Sequence, residues 1–415
     1  MDTLENELID AMCQMPIIDA HEHLVQERQA IAEDADVFTR IFCHYSITNA
    51  IMAGLGKPPD GREIREWLKD TSVPLMERWT HFRESYAAIR DTGYARAARQ
   101  AVTALYGIDD VTDENVEEVS ERLQADNTEG LYHRILVDRC GITRVINQGG
   151  WNDGPGGMAV GVSWDFVGIF AWEAEQLEAF YHASCERNGG DFDCPSEWVR
   201  SVLEHLRTMG HVGLKIMGFP PSERIDDSTA ERLFKMIEQG LTDEDAHSLG
   251  NWVGHRAIEL APEFDFVVAV HCGIIWCGGD FTTLAPDKLI PLIERYPDTV
   301  FDLYHGGIPW VRTIAVMANQ YSNIVLNMCW THQISPYMTE HMINEWIDLV
   351  STSRIIAFGG DVVYPEKTLG ALVVARENIA RALAVRIRRG QMTTTRAIDT
   401  CRAWFHDNPE RIYAL

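Results

Sequence analysis

His21-Glu22-His23 is a run in which two imidazoles are separated by one residue. On a strand, alternate side chains share a face, so both histidines point one way while Glu22 points the other. Two imidazoles on one face at a strand's C-terminal end are placed to chelate a divalent cation. Alone such a pair is weak evidence, but further polar residues close other apolar runs. His271 follows Val267 and Ala269 in the same alternation, His305 follows Phe301 and Leu303, and Asp361 follows Ala357 and Gly359. A carboxylate at the end of a buried run calls for a metal or a cationic partner. Lys215 lies on another such run, where an ammonium would bind an anionic group or pair with a neighbouring acid.

These residues need strands that bring their ends together. Eight short apolar segments supply them: Pro16 to His23, Ile142 to Gln148, Trp164 to Phe170, His211 to Phe219, Phe266 to Gly273, Val300 to Gly307, Asn323 to Trp330 and Arg354 to Asp361. Near-continuous apolar runs indicate parallel strands covered on both faces, and helical patterns between them indicate βαβ units. Such helices are predicted over Ser228 to Gln239, Asp287 to Arg295 and Thr339 to Val350. The expected fold is α/β, a (β/α)8 barrel, whose strand ends converge on one mouth. At 415 residues the whole chain, 1–415, fits one large barrel domain. Residues 24–138 read as a mostly helical insertion after the first strand, placed to cover the catalytic face; one crossover helix does not need that length. The stretch Gly149 to Gly157 lacks the GK[ST] of a phosphate loop and is read as a loop after the second strand.

Composition narrows the function. A net charge of −26 opposes nucleic-acid binding, which requires surplus Lys and Arg, and fits poorly with an anionic membrane. No basic, apolar leader and no run of about 20 apolar residues is visible. Nine scattered cysteines, an odd number without CxxC pairs, point to reduced thiols and a cytoplasmic setting. The expected partner is a small molecule, with the chain as a homo-oligomer or part of a hetero-oligomer.

The motifs IDAHEH, VHCG, YHGGIPW and FGGD resemble those of the amidohydrolase superfamily, in its amidohydrolase-2-like branch, and the ending HDNPERIYAL is similar to that family's final helix. The resemblance spans all eight strand segments, with the helical insertion as the divergent part. It implies that His21, His23, His271 and Asp361 ligate a divalent metal, zinc first, with manganese or iron as alternatives. It also implies that Asp361 acts as general base or proton shuttle, and that His305 is a second-metal ligand or a catalytic acid. In some members a strand-four lysine is carboxylated and bridges two metals; Lys215 with His305 would then hold a second ion, giving one or two ions per chain. Three imidazoles and a carboxylate leave the ion about one net positive charge, which brings the pKa of a bound water from 15.7 toward roughly 7. The reaction expected first is hydrolysis of an amide, cyclic amide or lactone. Metal-assisted decarboxylation or uronate isomerisation competes with it. So does a dinuclear iron or manganese oxygenase of a small amino or amine substrate, or an inactive metal-bearing subunit of one.

Weaker candidates surround the set. Asp19 shares the parity of His21 and is read as orienting its ring. His44, Tyr45, His81, Arg83 and Arg90 lie in the insertion and are read as either packing or substrate contacts. Trp151, Trp276, Trp310 and Trp330 follow strand ends and suit an organic substrate or one another. Of these, His44, Tyr45, Arg83, Trp276 and Trp310 form the expected substrate-binding set. Asp302 is placed toward the helix layer as a structural residue.

Overall fold

A computed structural model describes residues 1–218, 223–275 and 279–415. Its strands are β1 (Ile17–Glu22), β2 (Ile142–Asn147), β3 (Ala159–Ser163), β4 (His211–Ile216), β5 (Val267–Val270), β6 (Phe301–Leu303), β7 (Ile324–Asn327) and β8 (Ile355–Ile356). They follow one another in a single sheet in the order β1 to β8, with helices between successive strands except β2 and β3, which a loop joins; this is the (β/α)8 barrel topology. Every residue of β5 and β7 is buried, as parallel strands covered on both faces require. Among the described residues no helix is long and apolar enough to cross a membrane.

The third strand differs from the expectation. Trp164 to Phe170 forms a turn and the start of the short 3-10 helix Ile169–Ala171, entered through Gly168 in the left-handed region, and the strand is Ala159–Ser163. Its residues are small, and Gly161 lies so close to His211 that an added Cβ would meet the ring at 2.6 Å. A short run beside a glycine-rich loop carries little apolar signal, whereas an aromatic-rich turn imitates a strand. The helices stand close to their expected places, at Asp227–Phe234, Ile290–Arg295 and Pro336–Leu349.

The chain forms two compact units. The first comprises Met1–Trp151, Met328–Asp348 and Ile356–Asp407, and the second Asn152–Asn327, Leu349–Ile355 and Asn408–Leu415. In the first unit β1 pairs with β2, matching Asp19 with Val145 and Glu22 with Asn147. Between these strands lie the helices Tyr45–Met52, Ile64–Lys69, Leu75–Ile89, Gly93–Tyr106 and Val116–Asp126. They enclose an aromatic core in which the ring of Phe42 lies 4.9 Å from Tyr86 and 5.1 Å from Phe82. Arg78 is buried beside that core, donating to the carbonyls of Leu68 and Val73 and to Asp36 at 2.7 Å. Asp36 in turn accepts from the backbone of Phe38 and Thr39.

In the second unit β4, β5, β6 and β7 are paired in parallel, and Lys215, Ala269, Asp302 and Val325 fall in one register row. Partners in a parallel pair share a face. Asp302 therefore shares the side of Ala269, and Phe301 and Leu303 do not, which corrects the alternation expected for β6. The pairing with β5 sets that parity, and His305, Gly306 and Gly307 all have positive φ, so His305 lies in a turn past the strand and does not follow its alternation.

Candidate metal centre

His21 is carried on β1 and His23 lies just past its end, where its backbone N–H donates to Val362. Asp361 sits in the segment after β8, donating its own N–H to the carbonyl of His21 at 2.9 Å. Its φ of 55° is in the left-handed region, a conformation tolerated by aspartate more readily than by most side chains. The neighbouring backbone is drawn tightly onto β1. An added Cβ on Gly359 would meet His21 Cβ at 2.7 Å and Cys329 Cβ at 2.6 Å. Neither atom can swing aside, so Gly359→Ala is expected to cost about 1–3 kcal/mol. A fall in thermal midpoint together with lower metal retention would show that this contact positions His21; an unchanged midpoint would show that it does not.

The donor atoms converge. His21 Nε2 and His23 Nε2 each lie 3.4 Å from Asp361 Oδ1, and the three ligand atoms are within 4.8 Å of one another. Four donors at about 2.1 Å in a tetrahedron are separated by about 3.4 Å, so the spacing fits a zinc-sized ion. The site combines depth with an opening: the side chain of His21 is 1% exposed, that of Asp361 8% and that of His23 26%.

Two more carboxyls lie behind it. Asp19 accepts from the backbone N–H of His21 at 3.2 Å and of Gly360 at 3.3 Å. It therefore holds the main chain on both sides of the site, not the His21 ring by the contact expected for it. Glu22 is fully buried, accepting from Val362 N–H at 2.7 Å and Thr368 hydroxyl at 2.8 Å, and so pins the β8 segment to β1. Burial pushes Asp19 up to about 7 against the hydrogen bond from Glu22, which pulls it down, while burial and the neighbouring Asp19 raise Glu22 well above the ordinary carboxyl range.

Tyr45 reaches this group from the insertion, its hydroxyl donating to the carbonyl of Asp361 at 2.7 Å. Its ring lies 4.8 Å from Tyr94 and 4.9 Å from the buried Trp330. His44 adjoins it with φ 72°, ψ −105°, a strained backbone of the kind concentrated at functional sites. Burial holds the His44 imidazole down at about 3, so it is neutral at ordinary pH. Lys367, which sequence reasoning did not single out, is buried beside them, donating to the carbonyl of Cys43 with its Nζ 5.2 Å from the Tyr45 ring. The available signal was a lysine in the first turn of a helix opened by Pro365, where the helix dipole disfavours positive charge.

Other candidates from the insertion lie elsewhere. Arg83 pairs with Asp113 at 2.7 Å in an exposed ion pair, and Arg90 pairs with Asp110. His81 stands edge-on to Trp67 and contacts the carbonyl of Gly56. Trp151 packs edge-on against Tyr132.

The second unit holds its own group. His271 Nε2 lies 2.8 Å from the carbonyl of Ile274, so that nitrogen carries the proton, and Nδ1 faces His305 Nε2 at 3.1 Å. A ring N–H fixed by a backbone carbonyl, with the other nitrogen presenting its lone pair, is how a metal-ligating imidazole is usually oriented. Lys215 Nζ lies over the Tyr304 ring at 4.1 Å. Asp302, fully buried, accepts from the Tyr413 hydroxyl at 2.6 Å and from Asn327 at 2.9 Å. Burial raises it to about 7, with Lys215 pulling the other way. Trp310 contacts Phe281 at the start of the helix Val311–Gln320, and Trp276 lies outside the described residues.

Comparison with known proteins agrees with this architecture. Solved structures of glucuronate isomerase from Caulobacter crescentus (TM-score 0.75, 16% identity, covering 99% of this chain and 94% of that one) and uronate isomerase from Thermotoga maritima (0.71, 14%, 100% and 98%) share the fold. Uronate isomerase from Bacillus halodurans is similar at TM-score 0.71 and 14% identity, covering 100% of this chain and 97% of that one. At 24% identity over 131 residues, Protein fluG of Emericella nidulans matches 31% of this chain, and the match spans only 15% of that protein's length. A family model described as Amidohydrolase matches residues 170–415, more than half of the sequence, and the chain belongs to that family.

Proposed function

We propose that the chain is a metal-dependent enzyme that hydrolyses a C–N or C–O bond of a small organic substrate, with His21, His23 and Asp361 as the residues that would hold the ion. The observation that supports it most directly is the paired 3.4 Å spacing of two imidazole nitrogens about one carboxylate oxygen. The ion supplies Lewis acidity, lowering the pKa of water and polarising a carbonyl. Asp361 takes the proton of the attacking water on a carboxylate oxygen and returns it to the leaving atom. Tyr45 fixes the Asp361 backbone, while His44, neutral, offers hydrogen bonding without competing charge.

A second reading keeps this site and changes the reaction to aldose–ketose isomerisation of a uronate. Likeness over the full chain to three uronate isomerases favours it. In that reaction Asp361 would carry a proton between neighbouring carbon or oxygen atoms of the open-chain sugar acid.

Elemental analysis of protein purified without added ions tests the shared premise. One or two equivalents of zinc, manganese or iron per chain are expected, and removal by chelator should abolish turnover. A metal-free protein that takes up no divalent ion would overturn both readings. Assays on cyclic amides and lactones beside D-glucuronate then separate hydrolysis from ketose formation.

A further inference from the structure

Lys367 is an expensive residue to keep where it is. Its side chain is buried with the residue 6% exposed, and burial pulls its ammonium below the ordinary lysine value. It stands at the third position of the helix Pro365–Arg388, where the aligned peptide dipoles already present positive charge. Yet among the described residues no carboxylate lies within ion-pair distance of it. Of its three N–H groups, the carbonyl of Cys43 takes one, and the Tyr45 ring flanks the charge at 5.2 Å. Glu22 and Asp361 act on it electrostatically from farther away. A buried cation is ordinarily paired.

We infer that Lys367 is the anion receptor of the site: it binds a carboxylate of the substrate beside Asp361, with Tyr45 in contact with both residues. The inference rests on the proposed metal site and adds the substrate's chemical class to it. Three features converge on that role. Tyr45 touches both partners, donating to Asp361 and presenting its ring to Lys367. The strained His44 backbone lies between the Cys43 carbonyl that Lys367 holds and the Tyr45 side chain, so the lysine also sets the turn that carries them. A carboxylate matches what is offered: one ammonium supplies a single charge and point-like donors, whereas a phosphate dianion is typically met by several donors or an arginine fork.

Isothermal titration with charged and neutral pairs tests this, using D-glucuronate against D-glucose and acetate against acetamide, with inorganic phosphate as a third arm. The protein as purified is expected to prefer at least one carboxylate over its neutral counterpart by about tenfold or more, the scale of one charge-assisted hydrogen bond. Lys367→Gln keeps a donor for the Cys43 carbonyl but loses the charge, and should bring that preference to within about twofold while metal content stays as in the parent protein. Lys367→Met removes both functions; if only this variant loses the preference, Lys367 merely ties the turn and the inference fails. It also fails if no carboxylate binds better than its neutral partner, or if phosphate is the anion preferred. Absence of metal alongside an intact, Lys367-dependent carboxylate preference would overturn the metal reading and leave this one standing.

Discussion

Asp361→Asn is expected to lower turnover by about 100- to 10,000-fold without unfolding the protein. Asparagine is the informative replacement because residue 361 has a φ of 55°, which asparagine adopts nearly as readily as aspartate. The backbone contacts, N–H to His21 and carbonyl from Tyr45, make no use of the side chain and persist. What disappears is the carboxylate oxygen that stands 3.4 Å from both imidazoles. An amide is a poor ligand for a divalent ion and cannot accept a proton, so both roles fail together. Circular dichroism should be unchanged, and metal content should fall. Turnover retained at the parent level would remove Asp361 from the mechanism.

Arg78→Leu should destabilise the helical region between β1 and β2 by about 3–5 kcal/mol. Arg78 is 2% exposed and donates to two carbonyls as well as to Asp36. Its removal strands a buried carboxylate and two buried carbonyls at once, which costs more than the ion pair contributes when intact. Asp36 keeps its bonds to Phe38 and Thr39, and these hold the penalty within that range. Trp79, packed against Phe42 and Tyr86 in the same core, reports the change. Urea unfolding followed by its emission should show an earlier first transition; a loss below about 1 kcal/mol would mean the pair is incidental.

Much of this site was legible because its chemistry is tied to strand ends. Alternation placed His21 and His23 together, and the final apolar run delivered Asp361. Legibility failed where backbone, not side-chain pattern, decides. The left-handed turn at His305, Gly306 and Gly307 takes His305 out of the alternation of β6, and the register with β5 puts Asp302 on the face of Ala269. β3 is built of small residues beside a glycine-rich loop, and its signal was overshadowed by the aromatic Trp164 to Phe170. Asp19 was expected at the His21 ring and binds main-chain N–H groups, a distinction that side-chain spacing cannot convey. Lys367 escaped because its neighbours in space, Cys43 and Tyr45, lie more than 300 positions away.

The discontinuity of the first unit governs when an ion could be held by His21, His23 and Asp361. Glu22 and Val362 are bonded across 340 positions, and the carboxylate at 361 belongs to the last of three separated stretches that make up that unit. While the chain is still being synthesised, its early portion holds His21 and His23 without Asp361, a pair too sparse to compete for a scarce ion. An ion held by this set would therefore be loaded after most of the polypeptide has left the ribosome. The identity of the captured element then depends on what the surrounding compartment supplies to a finished fold, and metal limitation during expression should yield folded apoprotein that can be reconstituted afterwards.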